Sequence, residues 1–137
     1  LKAVPNSKLV TDGRVVRNIE GVELVRLDTI EIVKQNFDVG FFFKDQKLCS
    51  VFINLTDKIS YTSACSAFEQ LCAALRSKYG DELSSEDKGY FKRRKWNSGN
   101  ANISLTAFNM NIGLSSDSPA ILNIIYDVSL SKEADKL

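Results

Sequence analysis

A repeating apolar stripe over residues 61–79 is the feature that most constrains how this chain can fold. The stripe recurs at alternating steps of four and three residues, at Tyr61, Cys65, Phe68, Cys72, Leu75 and Tyr79. That spacing places the side chains on one side of an α-helix. Hydroxyls at residues 60, 62 and 63 offer N-terminal caps, and Gly80 is typical of the position after a helix end. The pattern predicts one amphipathic helix over residues 62–79 that buries its stripe against another layer.

Segments on both sides of this helix alternate apolar and polar residues, as half-buried strands do. They cover residues 22–27, 30–32, 37–43, 48–55, 90–96, 101–108 and 120–128. The polar tetrad 44–47 predicts a hairpin turn, and short connections favour antiparallel pairing. We therefore predict an α+β fold: a single antiparallel sheet of five to seven strands with one amphipathic helix packed on one face.

The chain of 137 residues is predicted to form one domain, with an irregular arm at residues 1–14 and a polar tail at residues 129–137. Residues 81–89 predict a charged loop, and residues 109–119 predict a longer polar loop. No apolar run approaches the roughly 20 residues of a membrane-spanning helix. Lys and Arg total 18 and Asp and Glu total 17, so net charge gives no general attraction to nucleic acid or to anionic membranes.

Several kinds of catalytic site are excluded by composition. The chain contains no His, so it cannot build a Ser-His-Asp or a Cys-His site. Cys49, Cys65 and Cys72 lack the spacing of a zinc site; Cys49 could pair with a helix cysteine, or all three could be buried thiols. Carboxylate pairs at 81–82 and 86–87 fall in the predicted loop rather than in a cleft. We predict that the protein is not an enzyme and uses no metal or cofactor.

Residues 88–96 form an unusual segment in which aromatic residues flank a run of basic ones. Basic groups could bind phosphates, and the rings could stack on bases. Alternatively, the segment is a strand whose Tyr90 and Trp96 pack while the cationic chains lie in solvent. The balanced charge of the remaining chain argues against nucleic acid, and an acidic protein partner fits the segment equally well.

The three consecutive phenylalanines at residues 41–43 give aromatic surface to both faces of one predicted strand. If Phe52, Phe108 and Leu48 share the face away from the helix, that face must be covered by the N-terminal arm, a second copy of the chain or a partner, unless further strands of the chain fold over it. Aromatic and Arg side chains are the usual anchors of interfaces. The predicted partner-binding residues are Phe41, Phe43, Phe52, Tyr90, Arg93, Arg94 and Trp96.

A group of short matches covers residues 41–127. They are the hairpin at 43–51, Tyr61 with a helix ending Lys78-Tyr79-Gly80, Trp96, Ile103-Ser104-Leu105, and Ile124-Ile125-Tyr126-Asp127. In these features the chain resembles small uncharacterised exported bacterial proteins and lipoproteins with α+β domains. Gln46 stands where their hairpin turn has glycine. The resemblance implies a periplasmic or otherwise exported domain, and it assigns a functional role to no residue.

Together these patterns favour a non-enzymatic protein-binding module of the bacterial envelope, such as an immunity, inhibitor or assembly protein. Its partner would be another protein or a second copy of the chain. Two alternatives remain open. One is a small apolar ligand held between sheet and helix. The other is a nucleic acid or a different anionic partner bound through residues 88–96.

Overall fold

The structure, a computed structural model, describes residues 7–10, 13, 14, 16, 19, 21–110 and 120–128. These residues form eight strands: β1 (Ser7–Leu9), β2 (Val22–Ile32), β3 (Gln35–Lys44), β4 (Lys47–Leu55), β5 (Ser84–Lys88), β6 (Phe91–Ser98), β7 (Ala101–Asn109) and β8 (Ala120–Val128). One helix, α1 (Tyr61–Tyr79), connects β4 to β5. The predicted tail at 129–137 and most of the predicted loop at 109–119 lie outside the described residues.

All of the described strands pair antiparallel in one sheet, in the order β1-β2-β3-β4-β8-β7-β6-β5. The single antiparallel sheet with one helix matches the prediction, but the count of five to seven strands is wrong because the sheet has eight. The sheet's two edge strands account for the error. β1 falls in the predicted irregular arm and β5 in the predicted charged loop, and neither shows the apolar alternation by which strands are recognised.

Ion pairs hold β5 and the residues before it against the rest of the sheet. Arg94 on β6 donates a hydrogen bond to the Asp87 carboxylate at 2.8 Å. Arg76 near the end of α1 donates two to Glu82, at 2.7 and 2.6 Å. The hydrogen bond from Arg76 lowers the pKa of Glu82 to about 2, from 4.5. Each predicted carboxylate pair therefore supplies a residue, Glu82 or Asp87, that is ion-paired to another element, and these contacts stabilise an exposed polar segment as a strand.

The helix ends and the hairpin agree with the residues that predicted them. The Oγ of Ser60 accepts a hydrogen bond from the backbone N–H of Ser63 at 3.1 Å, and the N–H of Gly80 donates to the carbonyl of Arg76 at 2.8 Å. Asp45 and Gln46 form the turn between β3 and β4 with φ values of 52° and 66°. Positive φ at both positions is typical of the two-residue hairpin turn, which explains why glycine is common there.

The main core lies between α1 and the half of the sheet formed by β6, β7 and β8, with contributions from β3 and β4. It buries the helix stripe against alternate residues of these strands: Phe37, Leu55, Phe68, Leu71, Cys72, Leu75, Trp96, Ile103, Leu105, Leu122 and Ile124. The indole of Trp96 is 2% exposed and its Nε1 donates to the carbonyl of Gly80 at 2.9 Å. This bond ties the end of α1 to the middle of β6.

A second, smaller cluster lies on the opposite side of the sheet. Phe42 and Phe52 meet edge to face with ring centroids 6.3 Å apart, and Val16 and Ile19 pack over them. Val16 and Ile19, which precede β2 in the chain, therefore cover this part of the face. Both lie outside the predicted arm at residues 1–14. Cys49 packs against the same cluster at an irregularity in the β3–β4 register, and its thiol donates to the carbonyl of Phe42 at 3.3 Å. None of the three cysteines is joined in a disulfide, so the predicted pairing of Cys49 with a helix cysteine is not formed.

We expect replacement of Gly80 by Ala to lower the free energy of unfolding by about 2 kcal/mol. Gly80 has φ 86° and ψ −164°, a region that essentially only glycine occupies. An added Cβ would meet no atom within 4 Å, so the whole effect comes from backbone strain. Gly89→Ala is the matched control, because its Cβ is also unobstructed and its φ lies outside the left-handed range. Equal urea midpoints for the two variants would contradict the expectation.

Candidate binding site

Four consecutive cations on β6, residues 92–95, project alternately to the two sides of the sheet. Lys92 and Arg94 lie on the α1 side, where each is ion-paired: Lys92 with Glu69 at 2.6 Å and Arg94 with Asp87 at 2.8 Å. The hydrogen bond to Glu69 raises the pKa of Lys92, and the one to Asp87 raises the pKa of Arg94. These two charges are already neutralised within the fold.

Arg93 and Lys95 project to the opposite side, and neither forms an ion pair within the part of the chain that the structure describes. The Nε of Arg93 donates to the Oγ1 of Thr106 at 3.3 Å. Glu86 lies opposite Arg93 in the register of β5 and β6, but its carboxylate pairs with Lys88, at 3.8 Å. Both cations are therefore available to a ligand.

A groove of about 730 Å³ runs across this side of the sheet, over β6, β7, β8 and β4. We call it the open groove. Its lining combines charged, hydrogen-bonding and apolar side chains, including Val16, Phe52, Arg93, Lys95, Asn102, Ser104, Thr106, Asn123, Ile125 and Asp127. Because these side chains stand on paired strands, their relative positions are set by sheet register rather than by loops.

Two neighbouring cross-strand rows define the floor of the open groove. The first runs Lys95, Ser104, Ile125 and Phe52, from a charge on β6 to an aromatic ring on β4. The second, beginning at Arg93, continues through Thr106 and Asn123 to Asn54 and is polar throughout. The groove thus has a cationic end, an apolar end and one hydrogen-bonding side.

An ion-pair cluster anchors the segment that borders the apolar end. Glu23 on β2 is 0% exposed and accepts hydrogen bonds from Arg14, at 2.5 and 3.0 Å, and from Arg26. Arg14 also donates to Asp38 at 3.1 Å, and its guanidinium lies 5.5 Å from the ring centroid of Phe52. Arg14 therefore links the segment before β2 to both the sheet and the groove.

The electrostatics of the cluster favour the ionised carboxylate. Burial acts to raise the pKa of Glu23, but hydrogen bonds from Arg26 and Arg14 outweigh it and lower that pKa to about 2. The ion-pair cluster requires glycine at position 40 of β3, since a Cβ there would lie 2.3 Å from Oε2 of Glu23. A backbone without a side chain at this point lets β3 pass under the charged groups.

Two of the residues predicted to contact a partner, Arg93 and Phe52, line the open groove from the side facing away from α1, and Tyr90 lies outside its lining. Arg93 lines it, and Phe52 forms its apolar end although the ring is only 7% exposed. Tyr90 occupies the turn between β5 and β6, where its ring packs edge to face on Phe108 at 6.0 Å. The sequence therefore identified one directly accessible residue of the groove.

The other four predicted contact residues lie on the α1 side of the sheet. Trp96 is part of the main core, and although it is one of the residues around the open groove, it is only 2% exposed. Arg94 is buried and forms an ion pair with Asp87. Phe41 and Phe43 are half-buried and share a face with Ile53, which packs against the main core. Of the three consecutive phenylalanines on β3, Phe41 and Phe43 therefore face the α1 side of the sheet and Phe42 faces the opposite side.

Sequence reasoning missed several groove residues, among them Ser104, Thr106 and Asn123, and it included Lys95 only as part of the basic segment 88–96. A signal was present, because every second residue of β7 from Asn102 to Thr106 is polar while the residues between them are apolar. That alternation marks a face with hydrogen-bonding groups. It does not reveal that unpaired cations from β6 lie beside it.

Within the described ranges, no group of three or more His, Cys, Asp or Glu side chains is placed to hold a metal ion. In the same residues, no helix combines the length with the apolar character needed to cross a membrane. The candidate site is the open groove, because its lining brings hydrogen-bonding, cationic and apolar side chains together in one cleft.

Comparison with known proteins adds no relative: no family model, no curated protein and no solved structure matches this chain. The resemblance to small exported bacterial domains stays a prediction. Function is therefore inferred from the geometry of the site.

Proposed function

We propose that this chain is a non-enzymatic binding domain that holds its ligand in the open groove. The observation that carries the proposal is the pair of cations, Arg93 and Lys95, standing without ion-pair partners among the described residues beside a row of hydroxyl and amide groups. Ligand sites commonly combine apolar surface with a few placed polar groups in clefts of about 300–1,000 Å³. The open groove, at about 730 Å³, falls within that range.

The geometry favours binding over catalysis. The lining contains hydroxyls at Ser84, Ser104 and Thr106, and among the described residues none of them hydrogen-bonds to a carboxylate or an amine. A nucleophile needs a base within hydrogen-bond reach. Asp127 is the one carboxylate among the described lining residues, so a carboxylate pair for acid-base chemistry is not assembled there.

The interface between sheet and helix offers less support for the alternative of an apolar ligand held there. Phe68, Cys72, Leu105 and Leu122 are fully buried within it and belong to one packed cluster. The groove lies on the other side of the sheet. A binding function is therefore better supported on the open face than beneath α1.

We expect Ser104→Trp to abolish binding by filling the open groove. A fragment library with anionic, cationic and neutral members would be screened by heteronuclear NMR, and hits should shift resonances of β6, β7 and β8. Ser77→Trp, on the exposed side of α1, is the matched control and should retain every hit. Both variants should keep the wild-type urea midpoint, which separates loss of binding from loss of folding.

Two results would count against this proposal. One is a screen without hits in the groove. The other is a set of hits that survives Ser104→Trp and maps to Phe41 and Phe43. The second result would move the site to the half-buried aromatic surface on the α1 side, next to exposed Val22 and Leu48, and would favour a protein partner. Location in the bacterial envelope stays a separate prediction, which cell fractionation would test.

A further inference from the structure

We infer that the ligand class of the open groove is an acidic amphiphile: a carboxylate or phosphate head joined to a short apolar body. The inference rests on the proposed function and adds the chemistry of the occupant. The supporting observation is the cross-strand row Lys95, Ser104, Ile125 and Phe52. Along this row the side chains go from charged, through polar, to apolar and aromatic. A ligand lying along this row must match both ends.

The cationic end of the groove has the groups that bind an anion. Arg93 and Lys95 stand two residues apart on the same side of β6, about 7 Å apart along the strand. The hydroxyls of Thr106 and Ser104 lie opposite them on β7. Charge-assisted hydrogen bonds from Arg or Lys to an oxyanion are roughly twice as strong as neutral ones. Asp127, the acidic residue in the lining, lies on β8, two strands away from this end.

The apolar end of the groove is formed by side chains from two neighbouring strands and from the residues before β2. Ile125 and Phe52 are direct partners across β8 and β4, and Val16 packs against the same cluster. The Arg14 guanidinium lies 5.5 Å from the centroid of the Phe52 ring, but its charge is used by Glu23 and Asp38. An uncharged tail therefore meets carbon surface here.

The separation of the two ends limits the size of the ligand. From β6 to β4 the sheet has three strand spacings, which corresponds to about 14 Å at ~4.8 Å each. A medium-length alkyl chain or a single fused aromatic system spans that distance. Nucleic acid fits poorly, because it requires several stacking platforms and a longer run of unpaired cations than Arg93 and Lys95 provide.

Calorimetric titration with four small probes tests the inference. Decanoate has both ends of the expected ligand, decanol lacks the charge, decyltrimethylammonium reverses it, and acetate lacks the tail. We expect decanoate to bind at least about tenfold more tightly than decanol, because only the carboxylate accepts charge-assisted hydrogen bonds from Arg93 and Lys95. Acetate and the cationic probe should show no measurable heat at the same concentrations.

Variants assign each end of the ligand to its residues. Lys95→Gln should weaken decanoate about tenfold and leave decanol unchanged, whereas Ile125→Ser should weaken both. Lys47→Gln, an exposed cation at the start of β4, is the matched control and should change neither affinity. A merely structural role for Lys95 would reduce both affinities together and would overturn the assignment of the cationic end.

The head group can belong to a free acid or to a membrane lipid. Co-sedimentation with phosphatidylglycerol vesicles but not phosphatidylcholine vesicles would identify a lipid source, and decanoate binding without vesicle binding would identify a free acid. Either result supports an acidic amphiphile. Equal or tighter binding of decanol or the cationic probe, blocked by Ser104→Trp, would overturn the ligand class while leaving the groove as a binding site. If no probe and no fragment bound, both the proposed ligand class and the proposed binding function of the open groove would be overturned.

Discussion

Replacing Glu23 by Gln is expected to lower the free energy of unfolding by about 3 kcal/mol. Glu23 is fully buried and accepts hydrogen bonds from both Arg14 and Arg26. The Gln variant removes its charge, which leaves Arg26 without this carboxylate and leaves Arg14 with Asp38 alone. Breaking a buried ion pair typically costs about 3–5 kcal/mol. The lower end applies because the Arg14 and Arg26 side chains are 28% and 21% exposed and stay partly hydrated.

Urea denaturation of Glu23→Gln beside Glu31→Gln gives the comparison. Glu31 lies on the same strand and is exposed, so its variant should differ from the wild type by under about 0.5 kcal/mol. A loss of less than about 1 kcal/mol for Glu23→Gln would contradict the expectation. It would indicate that water replaces the carboxylate at little cost.

The pH dependence of stability provides a second readout of the same variant. The pKa of Glu23 is lowered from 4.5 to about 2 in the folded protein, so its contribution is complete above pH 4.5 and is lost as pH falls towards 2. A shift of that size corresponds to about 3 kcal/mol. The difference in unfolding free energy between wild type and Glu23→Gln should therefore narrow steadily below pH 4.5.

We expect Trp96→Ala to cost about 4 kcal/mol of stability. The indole fills the main core between α1 and the sheet, and large aromatic truncations in cores cost about 3–5 kcal/mol. The variant also leaves the carbonyl of Gly80 without the bond from Nε1. Trp96→Phe keeps most of the packing and should cost about 2 kcal/mol, from the lost hydrogen bond and a smaller ring.

Far-UV circular dichroism is the appropriate measurement, because Trp96 is the only tryptophan of the chain and its removal eliminates the intrinsic probe. Leu83→Ala is the control: the side chain is 74% exposed and should contribute under about 0.5 kcal/mol. If Trp96→Ala retained full stability and lost only ligand binding, Trp96 would be a contact residue, as the sequence suggested, and the packing described above would be wrong.

The helix and the hairpin were predictable because each depends on contacts close in sequence. The period of the stripe from Tyr61 to Tyr79, the Ser60 cap and Gly80 gave bounds that differ from the structure by one residue. The turn at Asp45 and Gln46 was equally local. By contrast, β5 was missed because its stability comes from Arg94 and Arg76, which belong to other elements.

The candidate site was only partly predictable for a related reason. The basic segment was recognised as a strand. Successive side chains of a strand point to opposite sides of the sheet, so Arg93 and Lys95 lie on one side and Arg94 and Trp96 lie on the other. Sequence alternation separates the two sets without showing which faces the helix. Which side of β6 faces α1 depends on its pairing with β7, because the apolar residues of β7 pack against the helix.

The sequence by itself determined that this protein has one amphipathic helix and an antiparallel strand system, because side-chain periods of 3.6 and 2 are properties of adjacent residues. Only the tertiary structure decided which half of the sheet the helix covers, which cations are neutralised and where the groove lies. Those features depend on pairing between segments far apart in the chain, such as β4 with β8. Buried apolar area and ion pairs between segments select that arrangement, and no local pattern specifies it.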